Sequence, residues 1–492
     1  MKRHICILLL LSMLCGTCAS CASNTTTAED ESTAQTDAPV SETETTEADL
    51  YAAMLAEVPT GDYGGYDFQM LNNESNFAYT LMTAEELTGE SINDAVYNRN
   101  TTVSDKLNIT ITENMISYGK VTEEMKACIT AGDDTYSCFW NESHFVAPFA
   151  LRGELLNVYD MTAIDLEKPW WNGSALEEIS FGDYQYFLVG DLHLMFKESY
   201  WMCGFNKDIV DENGLEDPYA LVREGDWTMD TMQEYMRTVA QDLDGNGEIN
   251  LGDRFGVTCY IGCTHAFVIA ADEAYIERDE SGVPQIKTPD DRFYAVYEKL
   301  VSLLYAPEAD YVCLDGKTKG LEPDEWHEVF SSGHALFYLE PVGSLKKLRD
   351  MDAEFGIVPF PKYNTEQQDY VTYIAGYAAF CGVPITTSDM QRTGVILENL
   401  CAQSYGELRN AYVETTLNFK YIRDQESVEM LNLILESGRF SLTDTLGVST
   451  PPSTYLQNAT AGKAELASAY AKIMDAAKKL LSENIQKLMK AE

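Results

Sequence analysis

The sharpest chemistry in this sequence lies in one loop, Asp242 to Asp253. Oxygen-bearing side chains stand at positions 1, 3, 5, 9 and 12 of twelve residues, with Gly247 at position 6 and Ile249 at position 8. This is the EF-hand spacing, and Ca²⁺ as a hard cation gathers about six or seven oxygens. Asp242, Asp244, Asn246 and Asp253 offer side chains, and Glu248 offers its carbonyl. Position 12 is Asp253 where a bidentate Glu is usual, which puts affinity in question. The residues after it, Phe255 to Ile261, read as a strand, so the loop joins a helix to a strand. That predicts a structural Ca²⁺ that stiffens its loop rather than a sensor. A dockerin needs two such loops and the chain has one. The alternative is an acidic surface loop.

Motifs for covalent or phosphate chemistry do not occur. The chain has no G-x-S-x-G, no G-x-x-x-x-G-K-[ST] and no G-x-G-x-x-G. His327-Glu328 lacks the second histidine of H-E-x-x-H, and six histidines leave little for a metal hydrolase. The chain therefore reads as a non-enzyme. Counting does not dismiss a carboxylate pair of the glycosidase kind. In that alternative Glu142, Glu198 or Glu340 would be the acids of a surface enzyme acting on polysaccharide.

The elements that would position such residues are legible from periodicity. Asp67 to Leu71, Asn108 to Thr112 and Tyr136 to Trp140 read as strands. Between them lie helical patterns, one starting at Ser91 with Ile92, Ala95, Val96, Val103 and Leu107 on one face, the other running from Thr122 to Gly132. A βαβαβ order predicts a parallel sheet with helices on both faces and ligands beyond the carboxyl ends of the strands. Thr228 is expected to cap a helix, and the run Thr387-Ser-Asp389 to cap another through Leu400. Trp227 and the Pro169-Trp170-Trp171 run are expected to pack. Residues 463–488 form an amphipathic pattern with Leu466, Tyr470, Ile473, Ala477, Leu480 and Leu488 on one stripe.

At 492 residues with 45% hydrophobic content the chain is long enough for two or three cores. A net charge of -45 excludes nucleic acid as a partner, since nothing neutralises phosphate. Lys2 and Arg3 precede a short apolar run, Ile5 to Leu14, too short to span a membrane. Ala19-Ser20-Cys21 then resembles the end of a bacterial lipobox. This predicts a lipoprotein signal peptide at 1–21, lipidation of Cys21 and residence on the extracellular face of the cell membrane. Plain secretion is the alternative. Residues 22–59 read as an acidic Thr/Ser-rich tether, and from Ala22 to Asp49 there is no basic or aromatic residue. Eight cysteines beyond Cys21 are expected to be mostly free buried thiols.

One stretch organises the rest. Gly333 to Pro384 gives a strand at Ala335–Leu339, a helical turn from Leu345 to Met351, a strand at Phe355–Val358 closed by Pro359 and Pro361, and an aromatic-rich run from Tyr370 to Cys381. Together with Phe205-Asn-Lys-Asp208, Phe139-Trp140 and the V-P-I-T-T-S-D run before the helix at Asp389, it resembles the extracellular solute-binding proteins of family 1, the carbohydrate type. The resemblance implies a periplasmic-binding-protein type II fold, two α/β lobes joined by three hinge crossings. Lobe 1 would be 60–198 plus 341–374 and lobe 2 would be 199–340 plus 375–492. It implies a monomer that captures a sugar or oligosaccharide between the lobes and delivers it to the permease subunits of an ABC importer. Trp140, Asn141 and Glu142 would meet the ligand from the first sheet, although Trp140 is as readily a core residue. Glu198, Tyr200 and Trp201 would fall at the first crossing, Glu340 at the second and Tyr377 at the third. His265 would face the ligand from lobe 2, unless it is a hydrogen-bonded structural histidine. The same fold binding a peptide or another small solute is the nearest rival.

Overall fold

The computed structural model describes residues 47–75, 78–306, 309–314, 318, 320–322, 324–413, 424–448 and 466–489. Cys21 and the tether as far as residue 46 lie outside them. Strands are β1 (Tyr66–Glu74), β2 (Ile109–Ser117), β3 (Cys138–Glu142), β4 (Phe187–Leu188), β5 (Trp201–Asn206), β6 (Phe255–Cys259), β7 (Ile276–Arg278), β8 (Pro284–Ile286), β9 (Val312–Leu314), β10 (Ala335–Pro341), β11 (Phe355–Val358), β12 (Thr372–Ile374), β13 (Ala379–Gly382) and β14 (Gly438–Phe440). Two five-stranded sheets dominate, ordered β2-β1-β3-β13-β4 and β11-β5-β10-β6-β9. Among the described residues no helix is long and apolar enough to cross a membrane.

The first sheet follows the sequence pattern. β1 pairs parallel with both β2 and β3, and the helices Ser91–Leu107 and Tyr118–Ala131 cross between them. Helix Ser91–Leu107 buries Ile92, Ala95, Val96, Val103 and Leu107. Glu90 holds its N-cap position without a side-chain bond, and the Asp94 carboxylate accepts from Thr88 N at 2.8 Å. Thr228 and Asp389 do cap their helices, accepting from Thr231 N and Arg392 N. Trp170 and Trp171 are buried, and both indoles donate to the Glu398 carboxylate, at 3.1 and 2.8 Å.

The expected lobe boundaries are misplaced on both sides of residue 374. β11 lies in the second sheet against β5, and β13 lies in the first sheet against β3. Residues 341–374 therefore stay with the second sheet, and the chain returns to the first only after Ile374. The reason is pairing: β10 and β11 flank β5, and the short helix Val342–Leu348 reverses the chain between them while packing on helix Leu194–Glu198. Two crossings run side by side, with Tyr200 bridged to Ile374 and Ala375 N donating to Ser199 O at 2.9 Å. Glu340 is thus not at a crossing. Helices Met390–Gly406 and Leu408–Val413 pack on helix Ser91–Leu107 of the first half, whereas Gln425–Glu436 packs on β11.

Two terminal elements also depart from the sequence reading. Glu47–Glu57 is helical, and Tyr51 OH donates to Ala402 O at 2.9 Å, so the folded body begins inside the supposed tether. Helix Leu466–Leu488 buries Leu481, Ile485 and Leu488, while Leu480 is exposed. It touches both halves: Tyr470 packs on Phe293 at 4.9 Å, and Tyr186 OH donates to Leu488 O at 2.7 Å. All eight cysteines beyond Cys21 are free and buried.

Candidate functional site

β6 ends at Cys259 and the next helix begins at Cys263, which leaves a turn of Tyr260, Ile261 and Gly262. The turn lifts the Tyr260 ring out of the core, where it is 42% exposed. Trp326 backs that ring at 5.7 Å, stacked at 29°. The Trp326 indole is itself held by Glu340, donating to its carboxylate at 2.7 Å, and Ser344 donates to the second oxygen at 3.1 Å. Gly262 has no room for a side chain: a Cβ there would come within 2.9 Å of the Tyr260 ring and 3.2 Å of Trp201. The missing Cβ is what allows the two rings to approach across the turn.

Trp201 opens β5 and meets Tyr373 at 6.3 Å. His265, in the first turn of helix Cys263–Ala270, stacks on Tyr373 at 5.9 Å and 18°. Tyr377 follows in the returning crossing. These groups face His144, Pro148 and Leu151 of helix Ser143–Leu151, and residues Thr445 to Gly447 close a third side. The open cleft they line measures about 620 Å³ and lies between the two sheets, in the size range of small-molecule sites.

Of the residues singled out in the sequence, Trp201, His265 and Tyr377 come together in this cavity. Trp140 does not; it is 1% exposed and packs beside His193 at 5.1 Å. Asn141 is buried, with its amide donating to Tyr118 O at 2.9 Å. Both are held inward because helix Ser143–Leu151 starts directly after β3, with no turn between. Tyr200 accepts from the Asn172 amide at 2.8 Å and lines a separate, smaller pocket of about 140 Å³. Sequence reasoning missed Tyr260 and Tyr373. A tyrosine followed by Gly two residues on, at the end of an apolar strand, was the available signal for the first.

The three glutamates stand behind the cavity wall rather than on it. Burial pushes the carboxyls of Glu142, Glu198 and Glu340 each up to about 7. Glu198 accepts from Tyr79 N at 2.5 Å and feels Lys346, which pulls partly the other way. Glu142 lies 3.6 Å from His144 Nδ1. Burial, and then the fields of all three carboxylates, raise the Tyr377 hydroxyl well above its usual range. The cavity floor is therefore aromatic, with acidic groups one layer below.

Away from the cavity, carboxylate oxygens of Asp242, Asp244 and Asp253 lie within 4.8 Å of one another. Gly245 N and Gly247 N donate to Asp242, both at 2.7 Å, and Leu243 N and Asn250 N donate to Asp253 at 2.8 and 2.9 Å. These bonds hold the Asp242 carboxyl below the usual carboxylate range. Asn246 Oδ1 accepts from Glu248 N at 2.8 Å. The loop joins helix Met229–Val239 to β6, as the sequence predicts, and its all-oxygen donor set suits Ca²⁺.

No protein-family model and no curated protein matches the chain. Solved structures do. A cyclo/maltodextrin-binding protein complexed with maltotetraose aligns at TM-score 0.58 and 12% identity, over 86% of this chain and 99% of its own. The chain has the fold of the ABC solute-binding proteins. An ABC substrate-binding protein of Listeria monocytogenes in complex with cycloalternan aligns at TM-score 0.55 and 12% identity, over 85% of this chain and 99% of its own. The maltose/maltodextrin-binding domain MalE of Bdellovibrio bacteriovorus, bound to maltotriose, aligns at TM-score 0.54 and 12% identity, over 85% and 100%. At such identity the likeness is one of fold.

Proposed function

We propose that this chain is the substrate-binding component of an ABC importer and takes a sugar or oligosaccharide into the cavity between its two sheets. The observation that carries this reading is the aromatic floor of Trp201, Tyr260, Tyr373 and Tyr377 beneath a space of about 620 Å³. A pyranose ring has an apolar C–H face that covers an aromatic ring and a rim of hydroxyls that seek polar groups. The sugar ligands named for the structures of like fold support it. Binding and release need no reacting group in the cavity, only a closed form that holds the ligand better than the open one. The partners are the permease subunits, with the protein leashed outside the membrane through lipidated Cys21 as a monomer. Calorimetry over mono- and oligosaccharides tests the reading. Thermal stabilisation by peptides alone would replace it with the peptide-binding reading, and release of reducing sugar would replace it with the enzyme.

We further propose that the Asp242–Asp253 loop holds a structural Ca²⁺, through Asp242, Asp244, Asn246, Asp253 and the Glu248 carbonyl. The support is the convergence of three carboxylates on one point. The ion would fix the loop that leads into β6, and so the strand that ends just before Tyr260.

A further inference from the structure

An aromatic row leads out of the cavity on the side of the first sheet. His144 lines the cavity. Its ring lies 4.2 Å from that of Phe145, and Phe145 lies 5.5 Å from Tyr118. All three rings reach solvent: His144 is exposed, Phe145 is half-buried and Tyr118 is 51% exposed. Single exposed aromatics need no explanation, but a contiguous run that starts in a binding cavity does.

The row is held from beneath. Tyr118 is the first residue of helix Tyr118–Ala131, and the buried Asn141 amide donates to its carbonyl at 2.9 Å and to Thr122 Oγ1 at 3.4 Å. Asn141 Oδ1 in turn accepts from Glu142 N at 2.9 Å. One buried side chain thereby fixes both the outer end of the row and the acidic residue beside its inner end, where the Glu142 carboxylate lies 3.6 Å from His144. Aromatic rings stepped at about the scale of one pyranose form a surface that a glycan can cover with its C–H faces, while the Tyr118 hydroxyl and the His144 ring nitrogens offer polar partners to its hydroxyls.

We infer that Tyr118, Phe145 and His144 form an outer subsite for the sugar units of an oligosaccharide whose end occupies the cavity, so the ligand is a glycan chain longer than the cavity holds. The inference rests on the carbohydrate reading of the cavity. It makes Tyr118 and Phe145 determinants of chain length and Asn141 a positioning residue.

The test is calorimetric titration of the full chain with linear α-1,4- and β-1,4-glucan oligomers of increasing length. In the series that binds, affinity should rise about three- to tenfold per unit once the cavity is filled. Tyr118→Ala and Phe145→Ala should each flatten that rise while leaving affinity for the shortest bound oligomer within about twofold. Circular dichroism on the same variants confirms folding. Short oligomers that bind with no gain on lengthening, or a gain that survives both substitutions, would overturn the outer subsite and leave the cavity reading intact. If no saccharide of any length bound, the cavity reading would fall and the inference with it.

Discussion

The ends of β3 and β6 do opposite things with the same kind of residue. Each is a buried strand end with an aromatic at or just beyond it and a helix to follow. After β3 the helix starts at once, and Trp140 and Asn141 are pinned inside, 1% and 0% exposed. After β6 three residues intervene, and Tyr260 stands out at 42%. The length of the turn, not the identity of the aromatic, decides which ring is presented and which is core. The second sheet and its returning crossing supply the floor of the cavity. The first supplies a helical wall and rim.

That contrast can be broken most sharply by paired truncations. Tyr260→Ala or Trp201→Ala should weaken sugar binding by about thirtyfold or more, as for a central aromatic anchor. Trp140→Phe should leave affinity within about twofold and instead lower stability by about 1–3 kcal/mol. Calorimetry and urea unfolding on the same variants separate the two. Loss of binding in the Trp140 variant would show that β3 presents its ring after all.

A second effect follows from the three-residue turn. Gly262→Ala should drive the Tyr260 and Trp201 rings apart and weaken binding by about fivefold, with little change in unfolding midpoint. Unchanged affinity would mean that the close approach of the two rings is irrelevant to the ligand.

The acids behind the wall give a pH signature. Glu198 and Glu340 have folded values of about 7 against an ordinary 4.5, so the folded state holds protons that the unfolded state has lost. Their contribution to stability is largest below about pH 4.5, falls as pH rises from there to about 7, and is flat above. Glu340→Gln keeps an acceptor for the Trp326 indole and should make the midpoint less sensitive to pH across that window. A slope equal to that of the parent protein would argue that Glu340 is charged throughout.

The smallest expected effect concerns the lead into β6. Ca²⁺ well above its dissociation constant should stabilise the protein by about 1–3 kcal/mol, read as a rise in melting temperature. Asp244→Ala, at an exposed ligand position, should abolish the rise while leaving the metal-free midpoint almost unchanged. A rise that persists in this variant would place the ion elsewhere.

Much of the scaffold was legible because its signals are local. A period-3.6 pattern gave the helix at Ser91–Leu107, a capping run gave the start of Met390–Gly406, and apolar runs gave β1, β10 and β11. The convergence of Asp242, Asp244 and Asp253 was legible for the same reason, since all three lie within one twelve-residue loop. The cavity was only partly so. Trp201, His265 and Tyr377 were found, yet Tyr260 depends on a turn length and on a glycine contact with a residue far off in the chain. The lobe boundaries were misplaced because β11 and β13 look alike as short apolar runs. Only pairing partners, which periodicity does not encode, tell which sheet each joins.

The closing helix, Leu466–Leu488, is fastened at Tyr470 to Phe293 and at Leu488 to Tyr186. On the proposed binding reading, in which the two halves part to admit a ligand and close on it, a rod fastened to both would meter how far they part, and a change to that rod would retune affinity without touching a single ring in the cavity.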